Sequence, residues 1–202
     1  MEKTIIQYGK VFQKVLKAAG LDDAKQNISL YEKRLEEMYH SENFQKHNIY
    51  PSTNTTHVYA VIAMCLELKK YNLTDRQIID AINKGFSIRR DFYRRLIRLI
   101  DKLPNSYKIA EKWNISDHEK REKDGSLTYA YFNVSDGKIE YKIIKCIYTE
   151  MFETYGIRSL CKIFCMTDTT AYENLPRHVK FIRHSDLSDG NSCHDEIIEK
   201  RS

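Results

Sequence analysis

Apolar residues recur along the first half of the chain at intervals of three and four, and each such run stops at a helix-ending residue. Over residues 3–19 the apolar positions are Ile5, Ile6, Val11, Phe12, Val15 and Leu16, with Gly20 placed to cap the C-terminus. Residues 22–39 repeat the pattern with Leu30, Tyr31, Leu35 and Met38 on one side. The stretch HNIYPSTNTT breaks it, and its Pro51 and Ser/Thr/Asn cluster predict a loop that supplies the next N-cap. Residues 56–71 predict a central helix around Val58, Ile62, Leu66 and Leu68. Thr74 and Gln77 have the spacing of a capping box, opening a helix that ends near Gly85. Residues 86–103 predict an amphipathic helix with Phe92, Leu96 and Ile100 toward the core and Pro104 as its stop.

From residue 126 the period changes. LTYAYFNV and KIEYKIIKC are rich in aromatic and β-branched residues and flank an Asp-Gly pair, which predicts a hairpin. Helices over 147–155, ending at Gly156, and over 158–173 follow. HVKFIRHS and CHDEIIE then read as a second strand pair around the turn DLSDGN. Helices first and paired strands afterwards define an α+β fold, with a helical N-terminal half and a small antiparallel sheet of two hairpin-like strand pairs with connecting helices. The expected organisation is a single domain over 1–202, mainly helical over 1–115 and sheet-containing over 126–200, where the cysteine motif lies.

Composition narrows the function classes. The 202 residues are 42% hydrophobic and 30% charged, as in globular proteins. A net charge of +5 is too weak to imply nucleic acid unless it is clustered. Arg89, Arg90, Arg94, Arg95 and Arg98 spread over more than half of a helix circumference, the pattern of a solvated face. No apolar run approaches the roughly 20 residues of a membrane span, and the lysine-studded N-terminus does not read as a signal peptide. The expected compartment is therefore cytoplasmic. There the five cysteines, an odd number, are expected as thiols rather than disulfides.

The chemistry concentrates near the C-terminus. On one helix over 158–173, Cys161, Cys165, Asp168 and Tyr172 fall at i, i+4, i+7 and i+11, in one longitudinal stripe. An aspartate on such a face needs a partner, and Arg183 on the next strand is the candidate, since a guanidinium can hold a carboxylate bidentately. Each cysteine taken alone reads more readily as a small buried hydrophobe. Taken with Arg183, Cys146, Cys165, Asp168 and Cys193 all lie at strand ends or on the connecting helix, where one cleft can collect them. His57, at the start of the central helix, reads as a helix-start residue touching solvent rather than a catalytic one. His194 follows Cys193 directly, so on a strand it points to the other sheet face.

The stretch IKCIYTEMFETYGIRSLCKIFCMTDTTAYENLPRHVKFIRHSDLSDGNSC resembles the L-2-amino-thiazoline-4-carboxylic acid hydrolase family. The matching positions are Cys146 with Tyr148, then Gly156, Phe164, Cys165 and Asp168, followed by Phe181, Arg183, Gly190 and Cys193. Where that family commonly continues Cys-Asp-Phe-x-Phe, this chain reads Cys193-His194-Asp195-Glu196-Ile197. The resemblance implies hydrolytic opening of a small heterocyclic amidine or isothiourea carboxylate, with a small molecule as the partner and neither nucleic acid nor membrane. Under it, Cys165, Asp168 and Cys193 are the expected catalytic residues, and Arg183, Cys146 and Tyr172 the substrate-binding ones. Two mechanisms fit: attack by a cysteine thiolate with no cofactor, or a divalent metal such as zinc held by Cys146, Cys165 and Cys193. A non-catalytic small-molecule or metal-binding sensor would use the same cysteine pocket.

Overall fold

The computed structural model describes residues 2–22 and 25–200, apart from the side chains of Ile88, Arg89 and Asp168. The element order is α1 (Glu2–Ala18), α2 (Lys25–Tyr39), α3 (Glu42–His47), α4 (Thr55–Lys69), α5 (Asp75–Gly85), α6 (Ser87–Ile100) and α7 (Ser106–Asp124). There follow β1 (Leu127–Ser135), β2 (Lys138–Cys146), α8 (Ile147–Thr154), a 3-10 turn (Arg158–Cys161), α9 (Lys162–Glu173), β3 (Val179–Ser185) and β4 (Cys193–Glu199). The fold is α+β, as the pattern predicts. The chain divides into two compact units: one from Met1–Arg89 with Glu150–Ile163, the other from Arg90–Thr149 with Phe164–Ser202.

The first unit is helical. Its centre is α4, buried on all sides from Val58 to Cys65 and again at Leu68, which is why its sequence is nearly continuously apolar. The Thr74–Gln77 capping box forms as predicted, each residue satisfying a backbone amide of the other. The helix ends at Gly85, as the pattern predicts, and that glycine also has a packing role. It is the last residue of α5, and a Cβ there would meet Val15 Cγ2 of α1 at 2.3 Å. Val15 is fully buried, and a valine in a helix has little rotamer freedom with which to yield. Gly85→Ala is therefore expected to cost about 1–3 kcal/mol. Urea unfolding checks this, and an unchanged midpoint would mean that the α1–α5 contact gives way freely.

His57 lies at the start of α4 and is half-buried, so it keeps some contact with solvent while also packing inward. Its Nδ1 lies 3.0 Å from the Tyr8 hydroxyl and its ring meets Phe86 edge-on. Cys65 and Cys161 are both buried in this unit, in keeping with the filler reading.

The second unit is built on one antiparallel sheet in the order β1-β2-β4-β3. The two expected hairpins form. Gly137 takes φ 74° in the first turn, which only glycine adopts without strain. The hairpins join through β2 and β4. The inner sheet face carries Ile139, Tyr141, Val179 and Ile197, packed with Ile97 of α6, Tyr107 and Ala110 of α7, and Leu175 after α9.

Three sequence expectations change here. The single helix over 158–173 is two pieces, a 3-10 turn and then α9. The arc expected to face the core on α6 is displaced: Phe92 is 71% exposed and Leu96 47%, whereas Ile97 is the buried residue. Finally, α7 occupies residues where the apolar pattern predicts no helix, because it buries only Ser106, Tyr107 and Ala110.

Candidate active site

Strand register sets the centre of the site. Arg183 of β3 stands opposite Asp195 of β4, and Asp195 stands opposite Tyr141 of β2. The three form one row across the sheet, on the face where Cys193, Asp195 and Ile197 are all buried. Arg183 holds Asp195 as a fork: Nε to Oδ1 at 2.8 Å and Nη2 to Oδ2 at 2.7 Å. The Tyr141 hydroxyl donates to Oδ2 at 2.9 Å, and the Cys193 thiol lies 3.6 Å from the same oxygen. The Asp195 side chain is only 1% exposed, and charge-assisted and neutral donors take the place of the water it has lost.

The remaining arm of Arg183 reaches the helix. Its Nη1 donates to the backbone carbonyl of Cys165 at 2.5 Å and lies 3.8 Å from Asp186. Asp186 opens the β3–β4 turn, where it accepts from the amide and hydroxyl of Ser188, both at 2.8 Å. The Cys165 side chain lies close enough to favour its ionised form as well. Burial opposes ionisation of Asp186. The Ser188 amide and hydroxyl, the Cys165 thiol and the Arg183 guanidinium outweigh it and hold the carboxyl below its ordinary value of 3.8. The sign follows: this stabilisation is complete above a pH of about 3.8 and is lost as pH falls toward the lower folded-state value. Asp186→Asn is expected to make the acid limb of a stability–pH curve shallower, measured as urea midpoints from neutral to acid pH. A limb as steep as that of the unsubstituted chain would refute the assignment.

The thiols differ in environment. Burial, then the adjacent Asp195 carboxylate, push the Cys193 thiol far up against a weaker opposing pull from Arg183, so it stays a neutral donor. Burial also raises Cys146, and Cys165 lies near enough to both to oppose their ionisation. Cys165 itself is half-buried and lies beside the Asp186 carboxylate. The fold thus gathers Cys146, Cys165, Arg183 and Cys193. The Asp168 side chain lies outside the described residues. Tyr172 stacks on Phe181, whose ring lies 5.4 Å from the Arg183 guanidinium, and its hydroxyl accepts from Asn114. The described carboxylate partners of Arg183 are Asp195 and Asp186. Sequence reasoning missed both, although the period-2 rule that separates His194 from Cys193 puts Asp195 on the face of Cys193.

Two further aromatic contacts fix the start of α9. The Tyr148 ring packs 5.5 Å from Phe164 and lies under the Arg121 guanidinium at 5.6 Å. As for a metal, the group of three or more described ligating residues whose donor atoms converge within 4.8 Å is His184, His194 and Glu196; the three cysteines do not form one. No helix is long and apolar enough to cross a membrane among the described residues.

The chain is α+β, and thiols of its second unit gather around Arg183 beside the sheet. The particular family follows from comparison: the model of the L-2-amino-thiazoline-4-carboxylic acid hydrolase family matches residues 53–195, and the chain belongs to that family. No curated protein and no solved structure gives a match.

Proposed function

We propose that the protein hydrolyses a small heterocyclic amidine or isothiourea carboxylate, such as 2-amino-thiazoline-4-carboxylate, with Cys165 as nucleophile. Membership of a family named for such a hydrolase supports the reaction class. The observation that carries the residue assignment is the placement of Cys165: Arg183 Nη1 donates to its backbone carbonyl at 2.5 Å, and its thiol lies beside the Asp186 carboxylate.

In this reading the substrate amidinium lies against Asp186. Asp168, three residues after Cys165, is kept as a second carboxylate on its sequence position alone. Sγ of Cys165 bonds to the amidine carbon as its proton passes to the neighbouring Asp186 carboxylate and on to the departing ring heteroatom. The ring C–S or C–N bond breaks. Water then adds to the same carbon and the C–Sγ bond cleaves, returning the proton to Cys165; the net change is one added water.

Arg183 acts here as a positioning residue, because its fork is occupied by Asp195. Cys193 is a neutral hydrogen-bond donor and Cys146 a wall of the site. The reaction as written needs no metal.

Incubation of the reduced protein with 2-amino-thiazoline-4-carboxylate, followed by mass spectrometry, tests the proposal. A product heavier by one water supports it. Binding without turnover would move the assignment to a small-molecule sensor, and neither binding nor turnover would rule out this substrate.

A further inference from the structure

The opposite face of the same sheet carries a second cluster, which the hydrolase reading does not use. Alternation along β4 buries Cys193, Asp195 and Ile197 and turns His194 and Glu196 the other way. His184 joins them from β3, at the register shift between Arg183 and Ser185. The His184 and His194 rings lie 4.5 Å apart. Nε2 of His184 is 3.5 Å from Oε1 of Glu196, and Nε2 of His194 is 3.1 Å from Oε1 of Glu140. One ligating atom from each of His184, His194 and Glu196 lies within 4.8 Å of the others.

Like charges directly opposite one another destabilise a sheet, yet Glu140 and Glu196 are paired in register on β2 and β4. Lys138 bridges them, 2.9 Å from Glu140 and 3.1 Å from Glu196. An ammonium on a flexible stem is a weakly committed occupant for a place where two carboxylates and two imidazoles converge. Imidazole nitrogen beside carboxylate oxygen is a donor set for zinc, cobalt, nickel or copper rather than magnesium or calcium. A tetrahedral zinc ion holds such ligands at roughly 2.0–2.2 Å, hence about 3.4 Å from one another. His184 is exposed and His194 and Glu196 are half-buried, so small side-chain rotations close the remaining distance.

We propose that His184, His194 and Glu196 bind a divalent transition-metal ion on the outer face of the sheet, with Glu140 supporting His194 and with Lys138 as the competitor that the ion displaces. The proposal is independent of the hydrolase reading, since no residue is shared between the two faces.

Metal titration of the chelator-treated full chain tests it, with Zn²⁺ followed by calorimetry and Co²⁺ by absorption. The expected result is about one equivalent bound by an open three-ligand site, without the intense near-ultraviolet bands of cobalt–thiolate ligation. Binding should disappear in the His184→Ala/His194→Ala double variant. Glu196→Gln, which keeps the shape of the side chain, should weaken it by more than the roughly 10- to 100-fold typical of losing an outer partner. Lys138→Met should tighten it severalfold. Circular dichroism of each variant checks that the fold is retained. Cobalt–thiolate bands, binding that survives the double variant, or no binding by the unsubstituted chain would each overturn the proposal.

Discussion

Replacing Arg183 by methionine is expected to lower the unfolding free energy by about 3–5 kcal/mol, the usual cost of removing one partner of a buried ion pair. The reason lies in what remains. Asp195, with a side chain 1% exposed, would keep the Tyr141 hydroxyl and the Cys193 thiol as donors but lose both charge-assisted bonds. At roughly 2–4 °C per kcal/mol for a chain of this size, the melting temperature should fall on the order of 10 °C. The Arg183→Met/Asp195→Leu double variant should recover most of the loss, because an apolar pair can replace a buried ion pair at little net cost. Arg183→Lys should not, since one ammonium cannot reproduce the fork. Thermal melts of the three proteins decide the matter. If the single variant melted with the unsubstituted chain, the Arg183–Asp195 bond would not be holding β3 to β4.

The largest effect on activity is expected at Cys165. Cys165→Ser should reduce turnover by at least about 10³-fold, because a hydroxyl is a far poorer nucleophile than a thiolate near neutral pH. The half-buried side chain changes by a single atom, so stability should move by less than about 1 kcal/mol. Cys193→Ser is the informative contrast. Cys193 is held as a neutral donor to Asp195, and a serine hydroxyl donates at least as well, so the loss should be roughly tenfold at most. Equal collapse of both variants would sink the assignment of Cys165 as sole nucleophile. If bound metal disappeared along with the activity, a cysteine-held ion would become the better account.

Where local physics decides, the sequence foretells the structure. The β1–β2 hairpin follows from its Asp-Gly pair, the start of α5 from Thr74 and Gln77, and the second hairpin from two β-branched runs around a polar turn. Failures occur where the deciding contact is distant or the pattern is faint. Helix α7 is charged along most of its length and buries too few residues for its period to show. The turn at Arg158–Cys161 interrupts a helix without any proline to announce it.

The site divides in the same way. The order of elements puts Cys165, Arg183 and Cys193 where one cleft can collect them, but that they meet depends on packing that the sequence does not display. The partner of Arg183 depends on which residue of β4 stands opposite it, and the register shift at Arg183/Ser185 helps to set that pairing. No periodicity encodes such a shift, so the Arg183–Asp195 pairing does not follow from the sequence, although Asp195 lies two residues from Cys193.

The division of the chain bears on how it folds. Each compact unit is assembled from two separate stretches, and the backbone passes from one unit to the other three times, at residues 89/90, 149/150 and 163/164. Cys146 and Cys165 belong to the same unit, but most of the chain between them is spent in the other. During synthesis, therefore, the helical unit cannot close until residue 163 has left the ribosome, and the sheet must wait for β4. A gene cut between β2 and α8 would yield two halves, neither of which contains a whole unit.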